Sequence, residues 1–311
     1  MPRFVTFTPN PALDVSTSVD KLVDAHKLRC AQPQRHPGGG GINVARVLHR
    51  LGVDVLAIYP AGGATGERLH GLLQAEGVPD LHWPITQETR ESFTVNERET
   101  GREYRFVLPG PALTQAEWHH GLDALRKLPP PAWVVASGSL PPGLAADGHA
   151  QIARVAREIG ARMVVDSSGP ALTEALAQGV WLVKPSLREL AELTGAALTT
   201  TDAQRQAAQQ LIARGQAQMV ALSLGAEGAM LVTADQCLKA EALSVPVVGS
   251  VGAGDSFLAG LLWALDAQWA LPQALATAMA AGAAAVMTAG TALSQPQDVA
   301  HLREQVRIQT C

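Results

Sequence analysis

The feature that most constrains this chain is an alternation of short, nearly unbroken apolar runs with stretches of helical periodicity. Phe4-Val5-Thr6-Phe7, Val55-Leu56-Ala57-Ile58, Trp133-Val134-Val135-Ala136, Met163-Val164-Val165-Asp166, Val180-Trp181-Leu182-Val183, Met219-Val220-Ala221-Leu222 and Ala229-Met230-Leu231-Val232 read as strands. Ile42 to Leu51 carries a helical stripe at Ile42, Val44, Ala45, Val47, Leu48 and Leu51, and Gly148 to Ile159 reads as another helix. Strands this apolar are buried on both faces. They predict an α/β fold, a doubly wound and mostly parallel sheet with helices on each side. In such folds ligands sit beyond the carboxyl ends of the strands.

Composition agrees. The 311 residues are 47% hydrophobic and 17% charged, enough to bury a full core, and only 4% aromatic, so aliphatic side chains and alanine must fill it. We read residues 1–311 as a single domain. Two more polar regions, 12–34 and 85–108, interrupt the pattern. Thr94-Val95-Asn96-Glu97 and Glu103-Tyr104-Arg105-Phe106-Val107 suggest a hairpin turning at Glu99-Thr100-Gly101. These regions predict a small β lid. A lid with one apolar face needs a partner, and the lid of a second subunit supplies one.

A formal net charge of −4 gives no polybasic surface for nucleic acid. The first residues lack a signal-peptide pattern. Ala274 to Leu293 has no charge but is mostly alanine, glycine and threonine, which suits a tightly packed buried helix better than a membrane span. The expectation is a soluble, cytoplasmic protein. Cys30, Cys237 and Cys311 are scattered and odd in number, without C-x-x-C spacing, and predict neither a disulfide framework nor a zinc site. The nine histidines show no metal-ligand spacing, and His119-His120 reads as exposed helix.

The strongest local signal is Ser250-Val251-Gly252-Ala253-Gly254-Asp255-Ser256, running into the apolar helical stretch Phe257 to Leu265. Glycines at a helix start leave backbone N–H groups and the positive end of the dipole free for an anion. Gly252, Ala253 and Gly254 can hold a transferring phosphoryl group while Asp255 accepts the proton of the attacking hydroxyl. The plainer reading makes Asp255 an N-cap. The dipole lowers its pKa and burial raises it, and the sequence leaves the balance open.

A second signal is Gly38-Gly39-Gly40-Gly41 leading into Ile42-Asn43. Four glycines are costly to order, which favours a backbone laid against a ligand over a flexible loop. Asn43 can bond a polyhydroxy ligand or cap the helix. In Val183-Lys184-Pro185-Ser186-Leu187-Arg188-Glu189, Lys184 can reach phosphate and Glu189 can face Mg²⁺ through water, while Ser186 and Glu189 also have capping-box spacing. Ser223-Leu224-Gly225-Ala226-Glu227-Gly228 is either a hairpin turn or a nucleotide-lining loop. Gly62 to Gly66 reads as structural. Lys27, Arg90 and Arg105 lie in or beside the lid, suited to a sugar phosphate or to ordinary surface. Asp14 can accept bonds from sugar hydroxyls or serve a turn. A P-loop is absent, and no G-x-G-x-x-G follows the first strand.

Taken together, the chain resembles the ribokinase-like (PfkB) sugar kinases from end to end. The resemblance rests on Asn10 to Asp14, Lys27 to Cys30, Gly38 to Arg46, Pro60 to Glu67, Tyr104 to Phe106, Ser137 to Gly143, Val165 to Gly169, Lys184 to Leu190, Ser223 to Gly225 and Val251 to Ser256. Within the family it is most similar to the minor ATP-dependent 6-phosphofructokinase type, because relatives acting on fructose 1-phosphate commonly carry a lysine within the glycine run. The resemblance implies a homodimer paired through its lids and phosphorylation of the 1-hydroxyl of fructose 6-phosphate. The alternatives are tagatose-6-phosphate kinase, 1-phosphofructokinase, or a catalytically weak sugar-phosphate-binding regulator.

It also implies roles. Asp255 is the general base, with Gly252, Ala253 and Gly254 as anion hole. Asp14, Gly38, Gly39, Asn43 and Ser139 hold the sugar. Arg90, Arg105 and a neighbouring subunit's Lys27 hold the 6-phosphate. Lys184, Ser186, Ser223, Gly225 and Gly228 contact ATP, and Glu189 organises Mg²⁺. Gly249, Val251, Ala285, Thr288 and Gly290 match a loop for a monovalent cation such as K⁺. Ser186 departs from the usual asparagine of the family's N-x-x-E motif.

Overall fold

A computed structural model describes all 311 residues. The chain begins β1 (Phe4–Phe7), β2 (Ala12–Val19), β3 (Gln34–Gly38), α1 (Gly40–Arg50), β4 (Val55–Ala61), α2 (Gly63–Ala75), β5 (Asp80–Pro84), β6 (Arg90–Glu97) and β7 (Glu103–Val107). It continues through α3 (Gln115–Lys127), β8 (Trp133–Ser137), α4 (Gly148–Glu158), β9 (Arg162–Asp166), α5 (Gly169–Leu176), β10 (Val180–Val183), α6 (Leu187–Thr194) and α7 (Thr201–Ala213). It closes with β11 (Ala217–Ser223), β12 (Ala229–Val232), β13 (Cys237–Ala240), α8 (Ala253–Asp266), α9 (Leu271–Val286), α10 (Pro296–Arg303) and β14 (Ile308–Thr310).

Ten strands form one sheet in the order β14-β13-β12-β11-β10-β9-β8-β1-β4-β5. The pairings from β11 to β5 are parallel and those from β14 to β11 antiparallel. Each expected strand is present. The core divides evenly, with 34 buried residues on one side of the sheet and 34 on the other, as a doubly wound sheet requires. Phe4, Trp133 and Leu262 belong to one side; Phe7, Trp118 and Val165 to the other. α9 packs against α8 inside this core, and no helix is long and apolar enough to cross a membrane.

The lid is a separate four-stranded sheet, β3-β2-β6-β7. The hairpin read from the sequence is β6 and β7, with Phe93 opposite Phe106 and Thr94 opposite Arg105. Several hydrogen bonds tie the lid to the body. Ser250 Oγ donates to Glu103 Oε1 at 2.8 Å, and Arg90 Nη2 donates to the Asn10 carbonyl at 2.9 Å.

Two expectations are corrected. Cys237 and Cys311 form a disulfide, with Cα atoms 5.2 Å apart, while Cys30 is free and exposed. The pair is 74 residues apart in sequence and meets because β14 lies beside β13. The histidines do form a cluster with an acid: His70, Asp80 and His82 bring their ligand atoms within 4.8 Å of one another. It joins a helix to a neighbouring strand, so no sequence spacing reveals it.

Candidate active site

In the main sheet β1 lies between β8 and β4, so the connections leaving β1 and β8 part company there. A doubly wound sheet opens a crevice at such a point, beyond the strand ends. Here it is a cavity of about 300 Å³ between the ends of β8 and β9, the starts of α1 and α8, and the lid. Asp14, Gly39, Asn43, Arg90, Arg105, Ser139, Glu189, Val251, Gly252 and Asp255 all line it. The carboxylate at the glycine-rich helix start and the lid arginines therefore face one space.

Asp255 is not a cap. Gly252 is the N-cap of α8, with φ 78°, a left-handed conformation glycine adopts without strain. Asp255 sits in the first helical turn and its Oδ2 accepts a hydrogen bond from Asn43 Nδ2 at 2.9 Å. Asn43 is buried inside α1, so it too is not a cap. Burial raises the pKa of Asp255, and the Asn43 bond and the charge of Lys184 only partly oppose this. Burial thus sets the direction of the shift.

The glycine run is ordered. Gly38 ends β3, and Gly40 and Gly41 open α1. A side chain at Gly38 would collide with the Asp14 carboxylate, and one at Gly40 with Ser137 Oγ. Asp14 lies within β2 rather than in a turn, and accepts from Thr291 Oγ1 at 2.9 Å. Burial raises its pKa, against the Thr291 bond and the charges of Arg105, Arg46 and Arg90.

In the lid, strand alternation puts Arg90, Ser92 and Thr94 of β6, with Arg105 and Val107 of β7, toward the cavity. Burial lowers the pKa of Arg90, countered by the charge of Asp14. Lys27 is exposed and lies outside the cavity of its own chain.

Ser186 and Glu189 form a complete capping box on α6: Ser186 N–H donates to Glu189 Oε2 at 2.7 Å, and Glu189 N–H to Ser186 Oγ at 3.3 Å. Glu189 nevertheless lines the cavity, so capping and a site role coexist. Lys184 is buried and paired with Asp166 at 3.0 Å, beneath the start of α8. Burial opposes its charge, but Asp166, together with the charges of Asp255 and Glu189, outweighs this and raises its pKa. Asp166 is pushed up to about 6 by burial, despite Lys184 and with help from the Asp255 charge. The sequence marks Asp166 only as part of the Val165 to Gly169 stretch. Its place at the end of β9 was the available signal.

Ser223, at the end of β11, and Gly225 and Gly228, in the turn joining it to antiparallel β12, lie outside this cavity. Ser223 bridges to Ser186, and a side chain at Gly228 would strike the Ala240 carbonyl. The other elements expected near a cation also converge. Gly249 N–H donates to the Val286 carbonyl at 3.2 Å, and Thr288 Oγ1 to that of Ala285 at 2.8 Å. Gly290 adjoins Ser16 of β2.

A polar cleft of about 300 Å³, a glycine-rich helix start with an adjacent carboxylate and a cationic lid make up a phosphotransferase site. The chain belongs to the pfkB family of carbohydrate kinases, whose pattern matches residues 12–298. It is 47% identical over 299 residues to the ATP-dependent 6-phosphofructokinase isozyme 2 of Mycobacterium tuberculosis, covering 96% of this chain and 88% of that protein. The crystal structure of phosphofructokinase-2 from Escherichia coli in complex with fructose-6-phosphate superposes with a TM-score of 0.92 at 38% identity, covering 98% and 99% of the two chains. The same E. coli protein in complex with potassium gives 0.93 at 39% identity and the same coverage. The 1-phosphofructokinase of Vibrio cholerae is 33% identical, covering 98% of this chain and 96% of its own length.

Proposed function

We propose that this kinase transfers the γ-phosphoryl group of ATP to the 1-hydroxyl of fructose 6-phosphate. The observation that carries this reading is the shared cavity of Asp255, Arg90 and Arg105, where an acceptor base and cations for an existing phosphate line one space. Asp255 takes the proton of the attacking hydroxyl. The N–H groups of Gly252, Ala253 and Gly254 stabilise charge on the migrating group. Asp14, Gly38, Gly39, Asn43 and Ser139 orient the sugar, and Asn43 and Thr291 hold the two carboxylates in place. Lys184, Ser186, Ser223, Gly225 and Gly228 serve the nucleotide.

Glu189 and Asp166 offer hard oxygen donors around the cavity, which fit Mg²⁺. When bound, Mg²⁺ neutralises phosphate charge. Carbonyls of the 249–251 loop and of residues 285–290 suit K⁺, the ion in the E. coli relative's complex. The intact capping box supports the reading that Ser186 replaces the usual asparagine without loss of helix order.

Arg90→Ala is expected to raise the KM for the sugar phosphate ~10-fold or more, from the ~1.5–3 kcal/mol of a charge-assisted hydrogen bond, with a smaller change in kcat. Steady-state kinetics at saturating ATP tests this. An unchanged KM removes Arg90 from the phosphate site.

We further propose a cytoplasmic homodimer joined by the lids, which brings the partner subunit's Lys27 to the 6-phosphate. Phe93 and Phe106 pair across β6 and β7, on the strand face opposite Thr94 and Arg105, at 36% and 52% exposure. Such an apolar pair on a small sheet favours a second copy as cover. Phe106→Asp is expected to convert dimer to monomer in light scattering. A wild-type protein that is monomeric at assay concentration contradicts the proposal.

A further inference from the structure

Outside the catalytic cavity, three metal-ligating side chains converge at the β5 edge of the main sheet. His70 comes from α2. Asp80 and His82 come from β5, two residues apart and so on one face of the strand. His70 Nδ1 is 2.8 Å from Asp80 Oδ2, and His82 Nδ1 is 3.6 Å from it. Donors bound tetrahedrally to Zn²⁺ at ~2.0–2.1 Å stand ~3.3 Å apart, between those two separations. Small rotations of the imidazoles therefore place all three donors on one ion.

The surroundings are those of a built site. The Asp80 side chain is 5% exposed, against 29% for His70 and 37% for His82. Tyr59 of β4 is fully buried, stands opposite His82 in register and donates its hydroxyl to Asp80 Oδ2 at 2.6 Å. Its ring also stacks on that of His82 at 5.8 Å. A buried hydroxyl that fixes a carboxylate is the second layer of support that metal ligands commonly have. Above the imidazoles lies a pocket of about 310 Å³, lined also by Gly62, Gly66, Glu67 and Ile85.

We propose that His70, Asp80 and His82 bind a transition-metal dication of the Zn²⁺ type. Two imidazoles and one carboxylate suit that class and not Mg²⁺, which takes oxygen ligands and keeps its waters. Tyr59 is a positioning residue. The fourth coordination position faces the pocket, where Glu67 lies three residues before His70 on the same helix face. The ion ties α2 to β5 and stabilises the folded chain, with the logarithm of the free metal concentration once that exceeds Kd.

The test uses the full-length chain, stripped of metal and carrying Cys30→Ser so that the exposed thiol cannot bind the probe. Co²⁺ is titrated in, followed by competition with Zn²⁺. The expected result is one equivalent bound with the visible absorption of tetrahedral Co²⁺, displaced by Zn²⁺, and a Zn²⁺-dependent rise in Tm. His82→Ala and the milder His82→Gln abolish the band and the rise, with circular dichroism unchanged. Tyr59→Phe weakens binding ~10- to 100-fold. Asp255→Asn leaves the band intact. The proposal is overturned if the wild-type side chains give no such band, if binding survives the His82 substitutions, or if Asp255→Asn removes it.

Discussion

Asp255→Asn is expected to lower kcat by ~10²–10⁴, the range for losing a general base, with KM changed only a few-fold. Asparagine keeps the volume, and its amide oxygen still accepts from Asn43 Nδ2, so the first turn of α8 stays as it is. What is lost is the ability to take a proton. The wild-type rate should also fall on acidification through a group titrating above the usual carboxylate range, because burial raises the pKa of Asp255. That limb depends on the carboxylate and disappears with it. Steady-state kinetics across pH, on both proteins, measures both effects. Near-normal turnover in the variant would return Asp255 to a structural role.

The second large effect concerns stability. Arg46 on α1 is completely buried, the only fully buried guanidinium in the core. It pairs with Glu76 at the end of α2 at 2.6 Å and donates to the carbonyls of Pro37 and Thr291, each at 3.0 Å. It thereby joins the residue before the glycine run to the residue that holds Asp14. Arg46→Met is expected to cost ~3–5 kcal/mol, because it strands a partly buried carboxylate and two carbonyls. Arg50, 3.1 Å from Glu76, rescues only part of this.

The pH dependence has a definite sign. Burial works against ionisation of Glu76, but the Arg46 hydrogen bonds and charge, with Arg50, outweigh it and lower the pKa. A carboxyl depressed in the folded state contributes stability that is complete above its unfolded pKa and lost as pH falls through the folded one. The gap between wild type and Arg46→Met in urea unfolding should therefore be widest at neutral pH and narrow on acidification. A gap under ~1 kcal/mol, the value of an exposed pair, would show that Arg46 is dispensable.

The sequence made the central strands legible because each is a local run of apolar residues, and the start of α8 legible because glycines and a carboxylate stand side by side. What it hid depends on contacts between distant segments. β5, Asp80-Leu81-His82-Trp83-Pro84, buries only Trp83 and has no clear apolar pattern. Arg46 looks like a surface residue of an amphipathic helix until Glu76 and Thr291 close over it. Whether burial or the helix dipole sets the pKa of Asp255 depends on the closure of the lid and α1 around it. The Cys237–Cys311 bond and the His70, Asp80, His82 cluster likewise follow from sheet order, which no spacing encodes.

The most direct test of the account is an ATP-consumption assay with fructose 6-phosphate, fructose 1-phosphate and tagatose 6-phosphate side by side, products identified by phosphorus NMR. The account predicts the highest kcat/KM for fructose 6-phosphate, with the new phosphate on the 1-hydroxyl. A preference for fructose 1-phosphate, or ATP binding without turnover on any of the three, would contradict it.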